Sequence, residues 1–405
     1  MMRRLTYLFV VFFGIALVLP KPSVAQIGYN GGKGLTYVHS AWTLNAGYLL
    51  LSGHSRSYGK VGNFPVEKGG STTIWDVSGR ISLNYGLGRH FEIALSPTLY
   101  QDTNRGGTGI SAPDDLFLSL KIGSFSSPGN SLAYGVMLST RLPTGSEHNI
   151  PFETYSTENV ALGVMTMLTY SRDPLYPEEG TSVHLNLGYW NHNDVGAELI
   201  NGDSRSKPTS MSQELLYGVG VKLPKDKFDF AAELYGNFFI QRPPTSAFSR
   251  EDYLYISPSI TYKPYRWLGV RFGADFRITN SSDKSLFADQ GGLLGRTLPN
   301  TQPNYPGWRV NMGTSFTLLP TNVYRRNERD ILMQKAQTRR ELFEQIIKEQ
   351  RETEAAESEL ERIKAERIRA EKELERLRRI LEGKSSEKNK ENNGTEKKKK
   401  KDNNN

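Results

Sequence analysis

Residues 308–318 read WRVNMGTSFTL. In an extended chain successive side chains leave opposite faces. Val310, Met312, Thr314, Phe316 and Leu318 therefore share one face, and Asn311, Gly313, Ser315 and Thr317 share the other. One face is largely apolar and the other small and polar, the pattern of a strand with lipid on one side and water on the other. Pro320 and a long charged segment follow at once, so this strand closes one architecture just before another begins.

The same unit recurs upstream. Alternating runs fall at 46–58, 72–85, 89–101, 115–123, 131–143, 159–172, 181–191, 212–223, 228–240, 252–263 and 267–279, which with 308–318 makes about twelve strands. In the second run Trp75, Val77, Gly79, Ile81, Leu83 and Tyr85 oppose Asp76, Ser78, Arg80, Ser82 and Asn84. In the eleventh, Leu268, Val270, Phe272, Ala274, Phe276 and Ile278 oppose Gly269, Arg271, Gly273, Asp275 and Arg277. A soluble two-sheet sandwich alternates too, so the breaks must discriminate. Short breaks (86–88, 125–130, 173–180, 225–227, 264–266) alternate with long ones (59–71, 102–114, 144–158, 192–211, 241–251, 280–307). A membrane barrel with both chain ends on one side has short turns there and long loops opposite. A sandwich has no reason to keep that order.

The span 46–318 resembles bacterial outer-membrane β-barrels of the porin and channel type. In the closing strand Asn311, Gly313, Phe316 and Leu318 match the pattern that addresses such chains to the barrel-assembly machinery. The resemblance implies an all-β membrane barrel of about 12 antiparallel strands at 46–319, set in outer-membrane lipid, acting as a channel or transporter for a small solute. It brings no particular solute site. Chains of that kind usually end at the closing strand with an aromatic residue. This one runs on, which raises a second expectation: a structural tether joining the outer membrane, through a periplasmic helix, to peptidoglycan or a helical partner.

Composition agrees with that reading. A mean hydropathy of −0.51 argues against membrane-spanning helices but not against strands, which turn only half their residues to lipid. There is no cysteine, hence no disulfide or thiolate chemistry. The net charge of +8 owes much to the Lys-rich end, so it is no nucleic-acid footprint. Arg3 and Arg4, an apolar run over 8–19 and the small residues Ser23 and Ala25 read as a signal peptide over 1–25. Residues 26–45 are left as a lead-in to the first strand.

Inward positions carry Asp76, Arg80, Glu92, Lys121, Arg141, Glu214, Lys222, Asp229, Glu233, Arg271, Asp275 and Arg277. Both signs stand on neighbouring strands, which fits a water-filled selective pore or a set of cross-barrel ion pairs filling a small lumen. Ala161, Gly163, Gly218 and Gly220 leave local space on the inward face, which favours a channel. Trp75, Tyr100, Trp190, Tyr253 and Trp308 fall near one set of strand ends, and Tyr85, Tyr170, Tyr262 and Trp267 near the other, as interfacial girdles do. None of the six histidines lies in a hydrolase or H-E-x-x-H motif, so the reading is no enzyme, no metal and no cofactor. His192 and Asp194, at a loop start, read as a solvated pair. The loop 280–307 reads as a disordered external loop, or else as a constriction folded into the barrel mouth.

Past Pro320 the period changes to about 3.5, with Leu360, Ile363, Leu374, Leu377 and Leu381 on one seam. No Gly or Pro interrupts before Gly383, so one helix is expected within 320–383. The seam calls for self-association or a helical partner; the alternative is a lone helix laced by i,i+4 charge pairs. The Lys/Asn-rich end, 384–405, reads as a disordered tail whose basic tip could touch anionic polymer or lipid.

Overall fold

A computed structural model describes residues 26–64, 70–104, 110–112, 114–127, 131–146, 148–173, 179–199, 207–280, 305–320 and 328–399. Residues 1–25, where a signal peptide is expected, most of the 280–307 loop and residues 400–405 lie outside the described residues.

The strands are β1 (Leu49–Phe64), β2 (Gly70–Gly86), β3 (Phe91–Asn104), β4 (Ile110–Ala112), β5 (Leu116–Ser126), β6 (Leu132–Leu142), β7 (Ala161–Ser171), β8 (Ser182–Asn191), β9 (Gln213–Lys225), β10 (Phe228–Gln241), β11 (Tyr253–Tyr265), β12 (Leu268–Arg277) and β13 (Trp308–Leu319). Twelve of them form the wall and match the twelve expected runs. The addition is β4, which among the described residues pairs with the end of β3 alone. All wall pairings are antiparallel. The ring closes because β1 pairs with both β2 (Leu49↔Tyr85) and β13 (Leu49↔Leu319). Closure leaves no open edge, the condition for a sheet in lipid.

The first long break is shorter than expected. β1 and β2 stay paired to Phe64↔Gly70, through most of 59–71. Gly59, Lys60 and Gly62 interrupt the side-chain alternation, but ladder bonds join backbone groups and do not need it.

Side-chain burial follows the period of two, inside out relative to a soluble protein. Asp76, Ser78, Arg80, Ser82 and Asn84 of β2 are buried, whereas Ile81 and Leu83 beside them are 38% and 39% exposed. Likewise Asn311, Ser315 and Thr317 of β13 are buried while Val310, Met312 and Leu318 are exposed. Exposed Leu, Ile, Val and Phe side chains recur on every side of the ring, including Ile93, Leu118, Leu138, Leu162, Leu187, Val219 and Phe272. An apolar surface of that extent is a lipid-facing band.

A second unit, residues 326–405, contains the helix α1 (Glu328–Lys399). It does not stop at Gly383: the expected disordered tail is helical as far as Lys399. A helix needs only its own i→i−4 bonds, and a single glycine costs about 1 kcal/mol relative to alanine, so Gly383 does not terminate it. Arg340–Glu344, Arg362–Glu366, Arg367–Glu371 and Glu375–Arg379 form i,i+4 pairs, all solvent-exposed. Such pairs are weak. No helix among the described residues is long and apolar enough to cross a membrane.

Candidate functional site

The lumen is not empty, and what fills it is the segment read above as a lead-in. Residues 26–44 lie inside the ring: Ile27, Tyr29, Leu35, Val38, Ala41 and Leu44 are all buried. The segment folds back on itself through two isolated bridges, Ile27↔Lys33 and Gly34↔His39, with Gly31 and Gly32 at positive φ (84° and 80°). Only glycine takes that conformation at no steric cost. Most of its remaining backbone groups have no strand partner, and buried backbone polar groups must be satisfied. The wall supplies the partners as side chains.

Glu233 does most of this. Its carboxylate accepts from three successive backbone amides, Thr36 (3.0 Å), Tyr37 (2.7 Å) and Val38 (2.8 Å). Glu92 accepts from Lys33 N (2.8 Å) and Leu44 N (2.9 Å). Asn84 accepts from Gly32 N, Thr169 from Ala41 N and Ser124 from Thr43 N. Asn186 binds both backbone groups of His39. Lys121 donates to Lys33 O at 2.6 Å, and Arg271 to Thr36 Oγ1 at 2.9 Å. Asp229 accepts from Gln26 Nε2 (2.9 Å) and pairs with Lys263 (2.7 Å). Asp275 accepts from Tyr37 Oη (2.6 Å), and Arg80 donates to Asn30 Oδ1.

The twelve inward residues thus divide by partner. Arg80, Glu92, Lys121, Asp229, Glu233, Arg271 and Asp275 touch the plug segment. Arg141 donates to the carbonyls of Tyr155 and Thr157 and pairs with Asp115. Arg277 pairs with Glu251 and donates to Tyr305 O, so these two arginines hold the long loops. Asp76 accepts from Gln101 and Thr103, Glu214 from Asn237, and Lys222 is buried on β9. Ion pairs between wall strands are among these contacts, as Lys263–Asp229 and Arg309–Asp275 show. Nine of the twelve also fasten the plug or the long loops, while Asp76 and Glu214 bond to neighbouring wall strands.

Several other expectations change. The space beside Gly218 and Gly220 is taken by the plug: a Cβ on Gly220 would lie 2.6 Å from Leu35 Cδ1, and one on Gly218 2.9 Å from Val38 Cγ2. Gly220→Ala should therefore loosen the plug by about 1–3 kcal/mol, read as faster proteolysis within 26–48. An unchanged cleavage rate would contradict this packing. Trp190 is not a girdle residue; it shares a face with His184 and Asn186 and covers Gly163, whose Cβ would lie 2.4 Å from the indole. Tyr253 also turns inward, into a cluster with Tyr235, Tyr255 and Tyr305. His192 and Asp194 are buried rather than solvated. Asp194 accepts from Ser212 N and Tyr155 Oη (both 2.7 Å), and His192 Nε2 lies 3.4 Å from Glu214. Burial, with Asp194 beside it, pushes the Tyr155 hydroxyl well above its ordinary range, so it stays a donor.

Between the plug and the loop residues 148–160 lies a cavity of about 160 Å³. Tyr29 and Tyr37 form one boundary and Glu153 and Tyr155 another, while Arg56, Arg80 and Arg309 stand on adjacent strands β1, β2 and β13. Phe117, Met137, Met165 and Trp190 supply an apolar wall. Among the described residues no group of three His, Asp or Glu is placed to hold a metal ion.

No family model matches the chain, and no curated protein does. Solved structures do. The NanC porin is matched at 9% identity over 67% of this chain and 100% of its own, with a TM-score of 0.41. An outer membrane channel from Pseudomonas putida F1 is matched at 11% identity over 69% and 98%, TM-score 0.42. The P. putida toluene transporter TodX is matched at 13% identity over 68% and 90%, TM-score 0.34. These are likenesses of architecture alone. By its own geometry the chain is a closed, twelve-stranded antiparallel β-barrel with an apolar exterior, carrying residues 26–44 in its lumen.

Proposed function

We propose that the protein is a gated outer-membrane channel for a small solute, with residues 26–44 as the gate. One observation carries this. The lumen is filled by a segment that forms no strand ladder with the wall and is held mainly by side chain–backbone hydrogen bonds. A barrel serving only as an anchor can fill itself with its own wall side chains. A separately folded insert leaves an aqueous path when it moves. The test is conductance in planar bilayers: the intact protein stays closed most of the time, and weakening the insert opens it. A barrel that stays silent after the insert is removed would defeat the proposal.

The second reading, a tether, rests on α1. Leu360, Ile363, Leu374 and Leu377 are each more than half exposed along one seam; the side chain of Leu381 lies outside the described residues. A heptad seam in that state calls for a partner helix, and we place it in the periplasm, in a second copy of the chain or an envelope protein. Leu360→Lys with Leu374→Lys should lower the association state of the full-length protein in sedimentation. An unchanged sedimentation coefficient would remove self-association from the account. Contact of the basic end with peptidoglycan belongs to the same reading, and deletion of 328–399 with a normal envelope would count against it.

A further inference from the structure

Arg56 and Arg80 stand on neighbouring strands and both stack on the ring of Tyr29, at 4.0 Å and 4.3 Å to its centroid. Arg80 is also over Phe117, at 4.5 Å. Two guanidinium groups this close repel each other, and both are at least nine-tenths buried. Repulsion in a dry site needs an anion. Nearby carboxylates are mostly committed: Asp275 to Arg309, Tyr37 and Asn311, and Asp76 to Gln101 and Thr103. Arg80 has no carboxylate within salt-bridge distance among the described residues; its partners are Asn30 and Thr98. The anion present is Glu153, which arrives from the long loop between β6 and β7 and pairs with Arg56.

That pairing is incomplete. Glu153 Oε1 and Arg56 Nε are both buried without a hydrogen-bond partner, although a guanidinium fork presents two parallel donors to a carboxylate. Burial pushes the Glu153 carboxyl up, but Arg56, Arg309 and Arg80 outweigh it and hold the group below its ordinary range, so it is ionised. The apolar wall of Phe117, Met137, Met165 and Trp190 lines the same cavity. A cavity of about 150 Å³ accommodates a benzene-sized body.

We propose that Arg56, Arg80 and Arg309 form a subsite for a small organic carboxylate with an apolar body, and that Glu153 occupies it as an internal competitor when solute is absent. The exchange conserves charge: one carboxylate leaves Arg56 as another arrives. A neutral solute could not displace Glu153 without leaving a buried guanidinium unpaired, which is strongly unfavourable. The inference rests on the channel reading above for its purpose, but not for its test.

The test is calorimetric titration of the full-length protein in detergent with benzoate, and with benzyl alcohol as the uncharged analogue. Benzoate should bind the native protein, bind Glu153→Gln about tenfold tighter, and fail to bind Glu153→Gln combined with Arg56→Gln. Benzyl alcohol should bind none of them. Equal binding of both compounds, or benzoate binding weakened by Glu153→Gln, would overturn the proposal. Should the variants not fold, the native protein still decides. Benzoate should speed protease cleavage within residues 143–160 by releasing Glu153; an unchanged rate overturns the idea. Benzoate binding to a barrel that never conducts would defeat the channel reading and leave the subsite standing. Conductance without any benzoate binding would do the reverse.

Discussion

Removing residues 26–44 is expected to turn a largely closed barrel into a steadily conducting one. The wall does not depend on those residues for its ladder, because β1 begins at Leu49 and closes on β13 through pairs from Leu49↔Leu319 to Ser57↔Val310. What deletion removes is the occupant of the lumen. What remains is a ring of buried charges that would then meet water, where charged groups are better solvated than in a dry interior. The open fraction should rise by about one to two orders of magnitude, the change expected when a closed state favoured by a few kcal/mol is abolished. A heat-modifiable band on gels would establish that the truncated barrel is folded. Folded barrels without conductance would contradict the gating reading.

Glu233→Ala should have nearly as large an effect with no change in chain length. Its carboxylate satisfies three amides in a row, and Arg271 lies within its electrostatic reach. Truncating one side of a buried charged network costs about 3–5 kcal/mol, since the remaining groups stay buried without partners. The cost falls on docking of the insert, because Glu233 sits mid-strand in β10 and the barrel ladder there is made by backbone groups. The expected result is faster proteolysis within 26–48 together with raised conductance. Glu233→Gln should give a smaller change, as a neutral amide oxygen can still accept. Equal effects of both variants would mean that charge, rather than geometry, holds the insert.

The wall was legible and its contents were not, for reasons that specific residues show. Alternation in β2 and β12 is local, and a period of two places Arg80 or Asp275 inward whatever the rest of the chain does. The insert has no period. Its segment is Gly-rich with apolar or aromatic residues irregularly spaced at 27, 29, 35, 37, 38, 41, 42 and 44, and its partners lie far away, as with Thr36 and Glu233 at 197 positions apart. The available signal is quantity: about twenty residues with eight large or apolar side chains are more than a short linker needs. Trp190 and Tyr253 illustrate a different loss. Position near a strand end suggested a girdle, whereas parity with Asn186 and with Tyr255 already turned both inward. His192 and Asp194 stand at a loop start, which in a sequence suggests solvent, yet both are buried. In α1 the residue that misled was Gly383, whose modest local cost was weighed as a terminator.

The most direct test of a gating insert uses the absence of native cysteine. Val38→Cys and Gly220→Cys would join insert to wall, since a Cβ at Gly220 lies 3.2 Å from Val38 Cβ, near the separation of about 3.5–4.5 Å found across disulfides. Placed in the Glu233→Ala background, this pair should abolish conductance when oxidised and restore it in the same bilayer on adding a reductant. Conductance that is equal before and after reduction would contradict the account, because ions would then be passing by a route that the insert does not control.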